Sequence, residues 1–147
     1  MKTIVITGAT SGIGLEAAKL LAQSGFRVLG VGRSSARCDA AAQAVRAAAP
    51  QAEVEYFTAD LLQQREVNRA AAELTGFIRE KCGGELYALI NNAGCGYLGN
   101  LGEVETSTQT RMIDLNLRAL TAITNMVIPF MPAGSRIINV SSIASFC

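Results

Sequence analysis

Thr3-Ile4-Val5-Ile6-Thr7-Gly8-Ala9-Thr10-Ser11-Gly12-Ile13-Gly14 opens the chain as an apolar run that empties into a glycine turn and a helix-patterned stretch. A short run of β-branched residues closed by glycine reads as a buried strand. Beyond the turn, Ile13, Ala17, Leu20 and Leu21 recur at helical spacing until Gly25, a residue suited to ending a helix. A strand, a glycine turn and a helix together aim unpaired backbone N–H groups and the positive end of a helix dipole at one point, which suits a bridging pyrophosphate. The glycines stand as G-x-x-x-G-x-G, each with its own task. Gly8 permits a tight exit from the strand, Gly12 keeps a Cβ out of the path of a phosphate, and Gly14 lets the helix lie close on the sheet. The same glycines also suit a tight turn that binds nothing, so the reading depends on the rest of the chain.

Further strands are expected at Arg27-Gly32, Glu53-Thr58, Leu86-Asn91 and Arg136-Ser141, each an apolar run suited to burial on both faces. Helices are expected at Ala36-Ala49, ended by Pro50, and at Gln63-Cys82, closed by Gly83-Gly84. A long one is expected at Ser107-Met131, bent or ended early by Pro129 and closed by Pro132 and Gly134. Alternating strands and helices predict a doubly wound α/β fold with a parallel sheet of about five strands, right-handed crossovers and helices on both faces. With 147 residues, half of them apolar, and no repeat or linker, a single domain over residues 1–147 is expected.

The net charge is +1 and the basic residues are scattered, so no footprint for nucleic acid or an anionic membrane surface is present in the sequence. No apolar stretch reaches membrane-spanning length and no signal segment leads the chain, so a cytoplasmic protein with a small-molecule ligand is expected. Cys38, Cys82, Cys95 and Cys147 form no C-x-x-C pair and there is no histidine, which argues for reduced thiols and against a metal site. Cys95 follows the Asn91-Gly94 turn and is either near a ligand or a small, half-buried side chain.

The segment Thr7-Gly14 resembles the cofactor loop of the short-chain dehydrogenases/reductases. Asp60-Leu61 after the third strand, Asn91-Asn92-Ala93-Gly94 after the fourth and Asn139-Val140-Ser141-Ser142 after the fifth follow in that family's order. The resemblance runs from Met1 to Cys147, about the first three-fifths of a usual member. It therefore implies a Rossmann-type NAD(P)-binding domain truncated after the fifth strand. The implied activity of the complete enzyme is hydride transfer between NADP(H) and a carbonyl or secondary alcohol, in a homo-oligomer. By the same resemblance, Gly8, Thr10, Ser11, Gly12, Ile13 and Gly14 form the phosphate loop, Asp60 accepts from the adenine amino group and the Leu61 backbone completes that edge. Asn92, Ala93 and Gly94 wall the ribose side, Ser142 polarises the substrate oxygen, and Asn116 holds a water in a proton relay.

Each of these residues also has a plainer use. Asp60 suits a helix N-cap, worth about 1 kcal/mol, and Asn92-Gly94 suits an ordinary turn. Asn116 suits a helix-distorting hydrogen bond to a neighbouring carbonyl, and Ser142 a strand-end or turn hydroxyl. At the end of the second strand, Val31-Gly32-Arg33 offers no acid for the ribose hydroxyls of NAD but a planar cation suited to a 2′-phosphate, so NADP is expected, with NAD possible. The alternative is a solvated arginine, and Ser11 lacks the basic side chain that many NADP-preferring relatives carry in the loop.

The family's Tyr and the Lys four residues later are absent: Tyr56, Tyr87 and Tyr97 are followed at that spacing by Asp60, Asn91 and Leu101. Free tyrosine titrates near 10, and proton transfer at neutral pH needs a cation to bring it down. The chain is therefore expected to bind cofactor but to turn over slowly or not at all. A non-catalytic nucleotide-binding module and a non-functional fragment are the alternatives. The fifth strand is expected as an open edge with poor solubility or a partly molten C-terminal half. The stripe Ile113, Leu117, Leu120, Ile123 and Ile128 suits a second subunit or the core.

Overall fold

The computed structural model of the chain describes residues 1–97, 99–100 and 102–142. Along the chain run β1 (Thr3–Thr7), α1 (Gly12–Gln23), β2 (Arg27–Gly32), α2 (Ser35–Ala48), β3 (Val54–Thr58), α3 (Gln64–Lys81), β4 (Ala88–Asn91), α4 (Thr106–Ile113), α5 (Leu120–Val127) and β5 (Arg136–Asn139). The strands form one parallel sheet in the order β3-β2-β1-β4-β5. β1 is central and buried at every residue, as an apolar run with helices on both faces must be.

The two faces of the sheet divide by the two-residue period of its strands. Val5, Leu29 and Leu89 face Val67, Leu74 and Ile78 of α3 and Ile123 and Val127 of α5. Ile4, Ile6, Val28 and Ala88 face Ala18 and Ala22 of α1 and Val45 of α2. The order of the strands reverses between β1 and β4, so the crevice above their carboxyl ends is the topological switch point where a parallel sheet of this kind takes its ligand.

Several expectations need correction. The long fourth helix is broken: α4 leads into a π-helical stretch at Asp114–Ala119, then α5, then a 3₁₀ turn at Ile128–Phe130. A π turn adds one residue per turn without disturbing the apolar period enough to be seen in sequence. Pro129 is the second residue of the 3₁₀ turn, where the missing N–H costs nothing. The apolar stripe divides as well, with Ile123 3% exposed in the core but Ile113, Leu117 and Ile128 57%, 60% and 49% exposed, so core packing accounts for only part of it.

Among the described residues β5 lies at the sheet edge with all four residues exposed, which contradicts burial on both faces. The other edge, β3, has Arg46 donating to the Val54 carbonyl at 2.6 Å and Arg69 to the Thr58 carbonyl at 2.8 Å, a cationic cover that discourages pairing with another strand. Among the described residues no helix is long and apolar enough to cross a membrane, and no group of three potential metal ligands is present. Cys38, Cys82 and Cys95 are unpaired thiols, and Cys147 lies outside the described residues.

Candidate functional site

Gly8 leaves β1 with φ +65° and Gly12 enters α1 with φ +53°, left-handed values that glycine adopts without cost. A Cβ on Gly8 would also come within 2.9 Å of the Ala93 Cα. Gly14 has an ordinary φ, and its reason is proximity. A Cβ there would overlap the Gly8 carbonyl oxygen and lie 2.5 Å from the Asn92 amide nitrogen. At Gly12 a Cβ would meet nothing within 4 Å, so this position opens onto free space above the start of α1. Ser11 precedes α1 without making a side-chain cap, and no acidic residue stands in the first turn. The leading N–H groups of this helix are thus left to an outside acceptor, which fits a nucleotide phosphate.

The turn after β4 is joined to the turn after β1. Thr7 Oγ1 accepts the N–H groups of Asn92 and Ala93 at 3.1 and 3.0 Å, and the Asn92 side-chain amide donates to the Gly8 carbonyl at 3.2 Å. Thr7 is 3% exposed, and its hydroxyl answers two part-buried backbone donors. Thr7→Val keeps the shape and removes that acceptor. It is expected to cost about 2 kcal/mol in urea unfolding, with faster amide exchange at Asn92 and Ala93.

A cavity of about 310 Å³ lies over the carboxyl ends of β1, β2 and β4. Its wall takes Gly8, Thr10 and Ser11 from the first turn, Gly32 and Arg33 from the end of β2, Asp60 and Leu61 from the end of β3, and Asn92, Ala93 and Gly94 from the end of β4. Gly12 and Ile13 are exposed at the start of α1 and Gly14 is buried beneath it, so these three support the turn without lining the cavity.

Asp60 accepts the Leu62 N–H at 3.1 Å on one oxygen and the Gln63 amide at 3.1 Å on the other. α3 begins only at Gln64, so Asp60 closes a local turn and is not the helix cap that its sequence position suggested. An ionised carboxylate has further acceptor capacity toward the cavity. Beneath the β2 end, Cys38 is 3% exposed, and burial pushes its thiol up, which suits an inert filler.

Sequence reasoning missed Arg37. It stands in the first turn of α2, four residues after Arg33, and both arginines are exposed on the cavity wall. Neither has a carboxylate partner among the described residues. The available signal was the spacing of four across the β2–α2 turn. Thr7 was also missed, since its partners are backbone groups more than eighty residues away.

Asn116 and Ser142 are not on this wall. Asn116 lies in the π-helical stretch, exposed, with its carboxamide engaged at both ends by one residue: the Cys95 N–H donates to Oδ1 at 2.8 Å and Nδ2 donates to the Cys95 carbonyl at 2.7 Å. The plainer reading, a helix-distorting bond to a neighbouring carbonyl, is not what Asn116 makes: its acceptor is the Cys95 carbonyl on the loop after β4. The same contact places Cys95, half-buried, beside this turn. Ser142 is exposed, three residues beyond the end of β5 at Asn139.

A profile of the short chain dehydrogenase family matches residues 2–147. An uncharacterised oxidoreductase of Staphylococcus saprophyticus is 33% identical over 147 residues, covering 99% of this chain and 60% of its own length. A 3β-hydroxysteroid dehydrogenase of Mediterraneibacter gnavus is 34% identical over 145 residues, 97% of this chain and 50% of that protein. Among solved structures, a short-chain dehydrogenase from Sphingobium yanoikuyae in complex with NADPH superposes with a TM-score of 0.84 at 30% identity, over 100% of this chain and 56% of that one. The chain thus spans about half to three-fifths of the length of these relatives. With the glycine turn, the switch-point cavity and the family match in agreement, the chain belongs to the short-chain dehydrogenases/reductases, a family of NAD(P)-dependent oxidoreductases.

Proposed function

We propose that this chain binds NADP(H) across the carboxyl ends of β1, β2 and β4, and that the protein moves hydride between NADP(H) and a carbonyl compound or secondary alcohol in the cytoplasm. The observation that carries the reading is the pair Arg33 and Arg37, two guanidinium groups on the cavity wall with no acid at the end of β2. Guanidinium forks bind phosphate by charge-assisted hydrogen bonds, whereas an acid here would favour the ribose hydroxyls of NAD.

In this reading the N–H groups leading α1, with Thr10 and Ser11, meet the pyrophosphate. Asp60 accepts from the adenine amino group, Leu61 presents its backbone to the same edge, and Asn92, Ala93 and Gly94 wall the ribose. The bound dinucleotide supplies or accepts the hydride. Ser142 donates its hydroxyl to the substrate oxygen, while Asn116 braces the Cys95 turn and serves the proton relay. A second copy packs on the exposed Ile113 and Leu117, which sedimentation of the purified chain would register as a dimer or larger.

Calorimetry of the purified 147-residue chain with NADPH and NADH tests the reading. Tighter binding of NADPH is expected. Binding of neither nucleotide, or equal binding of both, overturns it. The chain contains no Tyr-x-x-x-Lys, so carbonyl reduction by it is expected to be undetectable.

A further inference from the structure

Ala9 is completely buried at the start of the glycine turn, with 0% exposure. Its N–H donates to the Val31 carbonyl at 3.2 Å, and its carbonyl accepts from the Tyr56 hydroxyl at 2.9 Å. Tyr56 belongs to β3, two strands away from β1, and its register partner on β2 is Gly30. A Cβ on Gly30 would overlap the Tyr56 ring, coming within 2.7 Å of Cδ1. The missing side chain in the middle of β2 is therefore what lets the ring cross that strand and deliver its hydroxyl to the turn. Burial pushes the phenol up to about 12, so it remains a donor at neutral and moderately alkaline pH.

We infer that Tyr56 is a positioning residue for the nucleotide site: through Ala9 it holds the turn that carries Thr10, Ser11 and the N–H groups leading α1. The nucleotide part of this inference rests on the reading proposed above. A turn with glycine at positions 8, 12 and 14 has more backbone freedom to lose on binding than a turn built without glycine. A fixed carbonyl just ahead of it removes part of that loss beforehand, which raises affinity without adding a contact to the ligand. Tyr56 has no neighbouring lysine at the spacing proton transfer requires, and its partly buried hydroxyl is committed to a backbone acceptor. Holding the turn is the use that its geometry serves.

Tyr56→Phe removes the hydroxyl and keeps the ring. Amide exchange across residues 9–14 is expected to quicken by about tenfold, while exchange in the core of β1, β4 and α3 stays unchanged. NADPH and NADH affinities are expected to fall together by about tenfold, leaving their ratio intact. Gly30→Ala, which displaces the ring with its hydroxyl present, is expected to loosen the same residues and to add nothing in the Tyr56→Phe background. Unchanged exchange in the turn overturns the inference, as does quickening spread evenly through the core, which would make Tyr56 a packing residue only. A wild-type chain that binds neither nucleotide, but whose turn still loosens in Tyr56→Phe, overturns the NADP(H) reading and leaves the hold of Tyr56 on the turn standing.

Discussion

Gly14→Val is expected to abolish measurable nucleotide binding and to destabilise the chain by about 3 kcal/mol, through overpacking against backbone that cannot move. The added Cβ falls on the Gly8 carbonyl oxygen and the Asn92 amide. Gly8 cannot retreat, because it is itself wedged against Ala93, where even a Cβ would come within 2.9 Å. The remaining escape is for α1 to lift off the sheet, which separates Ala18 and Ala22 from Ile4 and Ile6 and displaces the N–H groups that lead the helix. Helix propensity works in the opposite direction, since valine is better than glycine inside a helix, but by less than about 1 kcal/mol. Gly76→Ala in α3 separates the two effects. A Cβ there meets nothing within 4 Å, so this variant is expected to gain about 0.5–1 kcal/mol and to bind nucleotide as the parent does. Urea unfolding and calorimetry on the pair read both outcomes. A Gly14→Val chain as stable as the parent would show that the close approach of α1 to the β1–β4 turns is dispensable.

The parts of this fold that were legible in sequence are those whose signal is local. β1 and β2 have the boundaries expected of them, because burial on both faces gives an unbroken apolar run and glycine ends it. Gly25 and the pair Gly83 and Gly84 close α1 and α3 with positive φ, as their positions suggested. The nucleotide turn could be read glycine by glycine, although the reason for Gly8 is both its φ and its contact with Ala93, which no local pattern contains. What was not legible depends on distant partners. The π-helical stretch at Asp114–Ala119 leaves hydrophobic spacing almost intact. Asn116 pairs with a loop residue rather than with its own helix. Asp60 does not cap α3, and its carboxylate instead accepts from Leu62 and Gln63 ahead of the helix. Arg37 shares the cavity wall with Arg33 only through the β2–α2 turn, and Tyr56 reaches the glycine turn only by crossing Gly30 on the neighbouring strand.

Arg33→Ala and Arg37→Ala are each expected to weaken NADPH binding by tenfold to a hundredfold while changing NADH affinity by less than about threefold. A hydrogen bond to a charged group contributes roughly 1.5–3 kcal/mol, and only NADPH brings the phosphate that receives it. Both guanidinium groups are exposed, so the NADPH preference is expected to shrink as salt rises from about 0.02 to about 0.5 M, and the lower end of the range applies near physiological ionic strength. The double variant distinguishes two geometries. If the arginines hold separate phosphate oxygens, their losses add; if they share one, the second removal costs less than the first. An unchanged NADPH to NADH ratio in both single variants would remove the phosphate role altogether. The opposite engineering step, an acid at the end of β2 to favour NAD, is closed at Gly32. A Cβ there overlaps Thr10 and lies 2.8 Å from the buried Cys38 sulfur, so Gly32→Asp has to push apart the turn and α2 before its carboxylate can reach a ribose. Gly32→Asp is therefore expected to lose both nucleotides rather than exchange one for the other. Gly32→Asp combined with Cys38→Ala is expected to recover part of the NADH binding, because it removes the one side chain in the way that belongs to α2 and leaves the glycine turn intact.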